Sequence, residues 1–324
     1  MTQYLDFEKP IKLIEEQIDQ LSANAESSGA AAMSTQLTKL KQNAERLLVE
    51  IYSKLDPWQK TQVARHQERP HFKDYVAALV TDFVELSGDR KFAEDAAIVG
   101  GLGRFLGRPC VIMGHEKGRT TTERLKHNFG MARPEGYRKA IRLMDMADRF
   151  NLPVVSLVDT AGAYPGLGAE ERGGAEAIAR STERCLSLGV PMVSVIVGEG
   201  GSGGAIAIAA ANTVLMLEHA VYSVISPESG ASILFRDAGR AKDVALAMKI
   251  TAESCLGFKV IDGIIKEPVG GAHRAPEQAI AAVGAAVAKA IDAFDGMDGD
   301  ALRRQRRQRF LDIGRMAETG APAR

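Results

Sequence analysis

The chain has 324 residues, 45% of them hydrophobic and 25% charged, the balance of a soluble globular protein with room for a sizeable core. Lys and Arg total 41, Asp and Glu total 41, and aromatic residues make up only 6%, so neither a basic field for nucleic acid or membrane nor a base-stacking surface is expected. Cys110, Cys185 and Cys255 are odd in number and far apart, which argues against a disulfide framework and against a zinc ribbon within this chain.

Met1–Pro10 holds no apolar signal core, and a cytoplasmic location is expected. Ile11, Ile14, Ile18 and Leu21 recur at helical spacing. So do Leu37, Leu40, Leu47, Leu48, Ile51 and Leu55. With the small, polar stretch Ala23–Ser34 as connection, residues 1–60 read as a helical hairpin that packs on its own domain or meets a partner chain. Trp58–His71 is polar and reads as a surface segment, and His71–Leu86 reads as a helix ending near Gly88.

From residue 96 the pattern changes. Ala96–Val99, Cys110–Met113, Val154–Val158, Val193–Val197, Val214–Leu217 and Val221–Ile225 are short runs rich in Val and Ile, as buried strands are. Helical stretches alternate with them: Gly136–Arg149, Gly173–Leu188 and Gly203–Ala211, then Ala231–Leu234, Ala241–Lys249 and Ala275–Phe294. The alternation predicts an α/β fold with a mainly parallel core over residues 61–324. The last helix, Leu302–Leu311, is basic, with the composition of a solvated or interface face. The longest uncharged stretch, Gly200–Leu217, is interrupted by Ser202, Asn212 and Thr213 and falls short of the ~20 apolar residues of a membrane span.

Two loops carry the chemistry. Gly198-Glu-Gly-Gly-Ser-Gly-Gly-Ala205 follows one strand and opens a helix. Its glycines strip side chains from a helix start, where backbone N–H groups lack partners and the dipole favours negative charge. An oxyanion that develops during reaction suits such a place, and so does a tight turn between core elements. Asp159-Thr-Ala-Gly162-Ala163-Tyr164-Pro-Gly166 follows a second strand, and loops beyond strand ends form sites in α/β sheets. Two such loops on neighbouring strands converge on one pocket, which Tyr164 lines or backs. Lys117, Arg119, Arg124 and Lys126 make a basic stretch suited either to the phosphates of a coenzyme A ester or to plain solvation.

Other motifs are weaker. Gly200-Gly-Ser202-Gly-Gly204 fits a serine-hydrolase elbow, with Asp159 and His219 as partners, but the acid precedes the serine and the extra glycines exceed what an elbow needs. Gly101-Leu-Gly103-Arg-Phe-Leu-Gly107 has one residue too many for a dinucleotide fingerprint, and no P-loop is present. His115-Glu116 begins like a zinc helix motif without its second histidine, so no metal is expected here.

Gly118-Arg119, Asn128–Met131, Pro134–Ala140, Asp159–Arg172, Gly198–Ile208, Tyr222–Glu228, Ala231–Leu234 and Glu267–Arg274 occur in an order that resembles one family. It is the alpha-subunit family of the bacterial multi-subunit acetyl-CoA carboxylase carboxyltransferase, and the resemblance spans nearly the whole chain. Ala161 stands where the family often has proline, and Ser229-Gly230 where glycine-cysteine is common; neither removes a backbone donor from the glycine turn. The resemblance implies a crotonase-type β-β-α superhelix preceded by the N-terminal hairpin. It implies transfer of a carboxyl group from carboxybiotin, held in trans on a biotin carboxyl carrier protein, to acetyl-CoA, giving malonyl-CoA for fatty acid synthesis. It also implies a beta subunit in an α2β2 assembly, with zinc only in that subunit, and biotin carboxylase as a further partner. Gly203, Gly204 and Ala205 would supply the oxyanion hole for biotin. Gly162, Ala163, Tyr164 and Gly201 would shape its pocket, and Lys117 and Arg119 would meet coenzyme A phosphates. A single-chain crotonase-type hydratase or decarboxylase, and a non-catalytic interaction subunit, are the alternatives.

Overall fold

The computed structural model describes residues 3–28 and 31–313, with backbone alone at 24–28 and 31–33. Helices α1 (Lys9–Ser28) and α2 (Ala31–Tyr52) form the expected hairpin. They run further toward each other than Ala23–Ser34 suggested, and Gly29, within that connection, lies outside the described residues. Ile11 and Ala44 are buried, whereas Ile14, Ile18, Leu47 and Leu48 are only half-buried. Polar contacts hold the hairpin together and tie it to the rest of the chain. Tyr52 Oη donates to Glu8 at 2.9 Å, and Arg274 reaches Glu8 at 3.3 Å and Glu15 at 2.8 Å.

The segment expected at the surface is inside. Asp56 and Gln59 cap α3 (Pro57–Ala64) reciprocally. Thr61 within it and His66, Arg69 and His71 beyond it are buried, and Arg69 pairs there with the equally buried Glu267 side chain. The helix expected over His71–Leu86 is two elements, α4 (Phe72–Leu79) and strand β1 (Val80–Glu85). β1 pairs antiparallel with β2 (Ile98–Phe105), and a side chain at Gly101 would overlap the Val84 carbonyl. The glycines that mimicked a dinucleotide fingerprint therefore belong to a strand. Gly107, with φ +87°, turns the chain into β3 (Arg108–His115).

Helices α5 (Thr121–Lys126) and α6 (Pro134–Arg149) lead to β4 (Val154–Thr160). Then α7 (Leu167–Glu171) and α8 (Gly174–Ser187) lead to β5 (Met192–Gly201). Short α9 (Ser202–Ile206) is followed by β6 (Thr213–Leu217) and β7 (Val221–Ser223). After α9 the chain continues to Ala211 in turns, not in the longer helix expected. Helices α10 (Pro227–Phe235), α11 (Ala241–Ala247) and α12 (Ala252–Gly257) precede β8 (Gly263–Ile265), and α13 (Pro276–Asp292) and α14 (Gly299–Asp312) end the described chain.

The sheet order is β1-β2-β3-β4-β5-β6-β8, antiparallel to β3 and parallel beyond, with β7 beside the end of β5. β4 and β5 are buried along their whole length, as strands covered on both faces must be. α6 packs beside α8, and α13 packs on β5, β8 and α4. No helix among the described residues is long and apolar enough to cross a membrane.

The basic helix α14 is docked rather than solvated. Arg306 is fully buried, donating to Leu188 O at 2.7 Å, Val190 O at 2.9 Å and Asn212 Oδ1. Burial pushes its guanidinium down to about 10, the cost of a charge held by carbonyls alone. Each buried acceptor left unpaired costs about 1–3 kcal/mol, so Arg306→Met lowers the unfolding free energy by roughly 3 kcal/mol in urea titration. A loss below about 0.5 kcal/mol, the surface norm, would contradict this.

Candidate active site

β4 and β5 are neighbouring parallel strands, and their carboxyl ends carry the two loops. Thr160 lies opposite Gly200, so the ladder runs to the point where both loops begin. The Thr160 hydroxyl donates to Gly162 O at 2.8 Å and accepts from Gly162 N at 3.1 Å, folding the first loop back on its strand.

The second loop leans directly on the first. A side chain at Gly201 would overlap the Ala161 carbonyl, and one at Gly204 would sit 2.7 Å from the Gly162 carbonyl carbon. The glycines thus have a packing reason, the close approach of two backbones. Ser202 turns the corner with φ +50°, and the start of α9 has no side-chain cap. The first-turn N–H groups have no acceptor within the helix.

A cavity of about 530 Å³ adjoins these loops, lined by Gly162, Ala163, Tyr164, Ile178, Ser202 and Gly203 among others. Tyr164 is half-buried there, with the Arg133 guanidinium 5.0 Å from its ring centroid. A second cavity of about 510 Å³, mostly apolar, shares Ser202, Gly203 and Val224 with the first and continues past Tyr222, Ile250 and Phe258. Gly203 stands between the two. Gly201, Gly204 and Ala205 are buried behind it and line neither.

Lys117 and Arg119 lie elsewhere. Lys117 borders a third cavity of about 250 Å³ on the far side of Ala161. Its ammonium is 2.7 Å from Asp159 Oδ1 and 3.3 Å from Glu199 Oε2. Burial alone would lower the Lys117 pKa, but the two carboxylates raise it and keep it charged. Burial would likewise raise Asp159, yet Lys117 and the Glu199 N–H hold it below the usual range. Arg119 is exposed and pairs with Asp74 at 2.7 Å.

Serine-hydrolase machinery is not assembled. Asp159 is taken up by Lys117 and the Glu199 N–H, while the buried His219 packs edge-on against Tyr52. Among the described residues neither bonds Ser202. All three cysteines are buried, and burial pushes Cys185 up to about 12 and Cys110 and Cys255 up to about 11, too high for nucleophiles.

Charged residues that sequence reading passed over stand behind the glycine turn. Arg65 bridges Glu199 and Glu228, and Arg69 joins Glu267 to the Val197 carbonyl at 2.8 Å. Only Glu199, set inside the glycine run, carried a local signal. Burial alone would raise the Glu267 carboxyl, but Arg69 and the His219 N–H hold it down to about 2. Its folded pKa therefore lies below its unfolded one. The stabilisation is full above about pH 4.5 and is lost as pH falls toward about 2. Glu267→Gln is expected to lower stability at neutral pH and to flatten the decline below about pH 5 in urea titrations. An unchanged acid profile would contradict the assignment.

The family described as acetyl co-enzyme A carboxylase carboxyltransferase-like matches residues 4–314. The acetyl-coenzyme A carboxylase carboxyl transferase subunit alpha of Caulobacter vibrioides (strain NA1000 / CB15N) is 64% identical over 312 residues, 96% of this chain and 98% of its own. The protein of that name from Methylobacterium nodulans is 62% identical over 315 residues, 97% of this chain and 99% of its own. Among solved structures, transcarboxylase 12S superposes with a TM-score of 0.57 at 19% identity, over 72% of this chain and 44% of its own. The beta subunit of Pseudomonas aeruginosa geranyl-CoA carboxylase gives 0.53 at 16% identity, over 73% of this chain and 45% of its own. This chain spans less than half of either structure, and the likeness is one of fold, the crotonase-type α/β architecture expected from the sequence. On a match that runs almost from end to end, the chain belongs to the acetyl co-enzyme A carboxylase carboxyltransferase family.

Proposed function

We propose that the chain is the alpha subunit of a biotin-dependent acetyl-CoA carboxyltransferase, acting in the cytoplasm in the first step of fatty acid synthesis. The observation that carries this reading is the joined pair of loops after β4 and β5, within a chain 64% identical to a protein named as that subunit. When bound, carboxybiotin on its carrier protein supplies the carboxyl group and leaves negative charge on its ureido oxygen. The first turn of α9 has the donors for such an oxygen. Gly203 faces the cavities without a side chain, and Gly204 and Ala205 continue the turn. Gly162, Ala163 and Tyr164 line the adjoining wall, Gly201 supports it from behind by its close approach to Ala161, and the 530 Å³ cavity is large enough for a bicyclic ring system.

Acetyl-CoA is the proposed acceptor. Lys117, already neutralised by two carboxylates, is a poorer partner for its phosphates than the exposed Arg119. A beta subunit, carrying its own zinc, is proposed to complete the site in an α2β2 assembly, with biotin carboxylase supplying the carboxylated carrier. Val224, which lines both cavities, and Ile233, Leu234 and Leu246 on α10 and α11 are all more than half exposed, apolar surface of the kind that protein partners cover. Residues 1–60, half-buried along their stripe, are proposed as a second interaction segment, distinct from the catalytic domain of 61–324.

A pull-down of the tagged chain from its host tests the assembly. The expected eluate contains a zinc-bearing second chain in equal amount. A chain recovered alone, and active alone on acyl-CoA esters without biotin, would overturn the reading in favour of a single-chain enzyme.

A further inference from the structure

Helix α10 forms part of the cavity wall, through Ser226 and Ser229 at its start. Ser226 caps the helix, accepting from Ser229 N at 3.2 Å and donating to Ser229 Oγ at 2.9 Å, so these two move with the helix as one piece. Yet α10 is lightly held. Only Pro227, Gly230 and Ala231 are buried, and its neighbours are α11 and the short turn of 238–240. Ile233 and Leu234 point outward, 72% and 69% exposed.

One polar tie runs from this helix to the glycine turn. Glu228, in the first turn of α10, takes both terminal nitrogens of Arg65. The Arg65 Nε donates to Glu199 Oε1 at 2.7 Å. Glu199 lies on β5 two residues before Gly201, and its own N–H is fixed by Asp159 at 2.9 Å. Lys117 holds Glu199 from the other side at 3.3 Å. Arg65 itself is anchored at the end of α3. A two-pronged arginine–carboxylate pair fixes direction as well as distance, which a lone surface ion pair does not.

We propose that Glu228, acting through Arg65 and Glu199, is a positioning residue that sets the wall of the biotin pocket against the oxyanion turn. This rests on the carboxyltransferase reading above. Glu228 does not line the cavity, so its removal leaves the donors in place and loosens the wall. Ground-state recognition of the biotin ring is lost, while the chemical step on bound substrate is largely kept.

The test uses the complex of the chain with its partner subunit, assayed for malonyl-CoA-dependent carboxylation of biocytin. Glu228→Ala is expected to raise the KM for biocytin about tenfold or more, with kcat within roughly threefold of the unaltered enzyme. The melting temperature of the complex should stay within about 2 °C. Glu228→Gln, which keeps the shape and one acceptor for Arg65, should fall between the two. Arg65→Lys, which loses the fork, should resemble Glu228→Ala. A KM within about twofold of the unaltered value overturns the proposal, and so does a loss of kcat and KM that follows a fall in melting temperature. If the unaltered complex carboxylates no biocytin, the function reading itself fails and takes the proposal with it.

Discussion

Replacing the Gly203 amide by an ester, with glycolic acid installed at that position, is expected to lower kcat about 100- to 1000-fold and leave the fold intact. That is the usual loss when one oxyanion donor is removed. The ester deletes an N–H and adds no side chain, which matters here because the turn has so little room. A Cβ at Gly204 would lie 2.7 Å from the Gly162 carbonyl carbon and 2.8 Å from Ala163 N, both backbone atoms. Gly204→Ala and Gly204→Pro therefore push the two loops apart and report on packing rather than on the donor. At Gly203 the nearest atom is the Ile178 Cγ2 methyl at 3.2 Å, a side-chain atom rather than backbone. Gly203→Ala keeps the N–H and should stay within about tenfold of the unaltered rate. An ester variant with normal kcat would remove Gly203 from the donor set.

Lys117→Met is expected to be strongly destabilising although it lies away from the apolar core. Lys117 sits between Asp159, whose side chain is 7% exposed, and Glu199, 10% exposed. Without it the buried Asp159 carboxylate loses its cation and keeps the Glu199 N–H, while Glu199 is left to Arg65. Removing one partner from a buried charge cluster costs about 3–5 kcal/mol. The pH dependence identifies the cause. Lys117 holds the folded Asp159 pKa below its unfolded value, so that stabilisation is present above the unfolded carboxyl range and is lost as pH falls through the folded value. The gap between the variant and the unaltered chain should therefore be full at neutral pH and narrow as pH falls below about 4. Adding Asp159→Asn to Lys117→Met should return part of the loss. A gap independent of pH would mean that Lys117 acts through packing of its stem alone.

The parts of the fold legible in the sequence are those whose signal is local. Val154–Val158 and Val193–Val197 are aliphatic runs, each broken only by one small serine (Ser156, Ser194), and they lie in the two fully buried strands at the centre. The glycine run at the end of β5 announced its turn because a side chain at Gly201 does not tolerate that approach to Ala161. Strand β1 was hidden because Phe72, Tyr75, Val76, Leu79, Phe83 and Leu86 continue a helical spacing across its start. What makes Val80–Glu85 a strand is its pairing with β2, which no local pattern encodes. Arg306 was hidden because arginine in a basic run is usually solvated, and its cage comes from the ends of α8 and β5 and from Asn212. The clamp of Arg65, Lys117, Asp159, Glu199 and Glu228 joins five separate segments, so only the folded chain brings it together.

The shared-site account is tested most directly by the initial rate of malonyl-CoA-dependent carboxylation of biocytin, measured for this chain alone, for the co-purifying second chain alone, and for the two mixed. The account predicts activity only in the mixture, rising to a plateau at equimolar ratio and lost when the Gly203 amide is made an ester. Full activity from either chain alone, or a mixture indifferent to that ester, would contradict it.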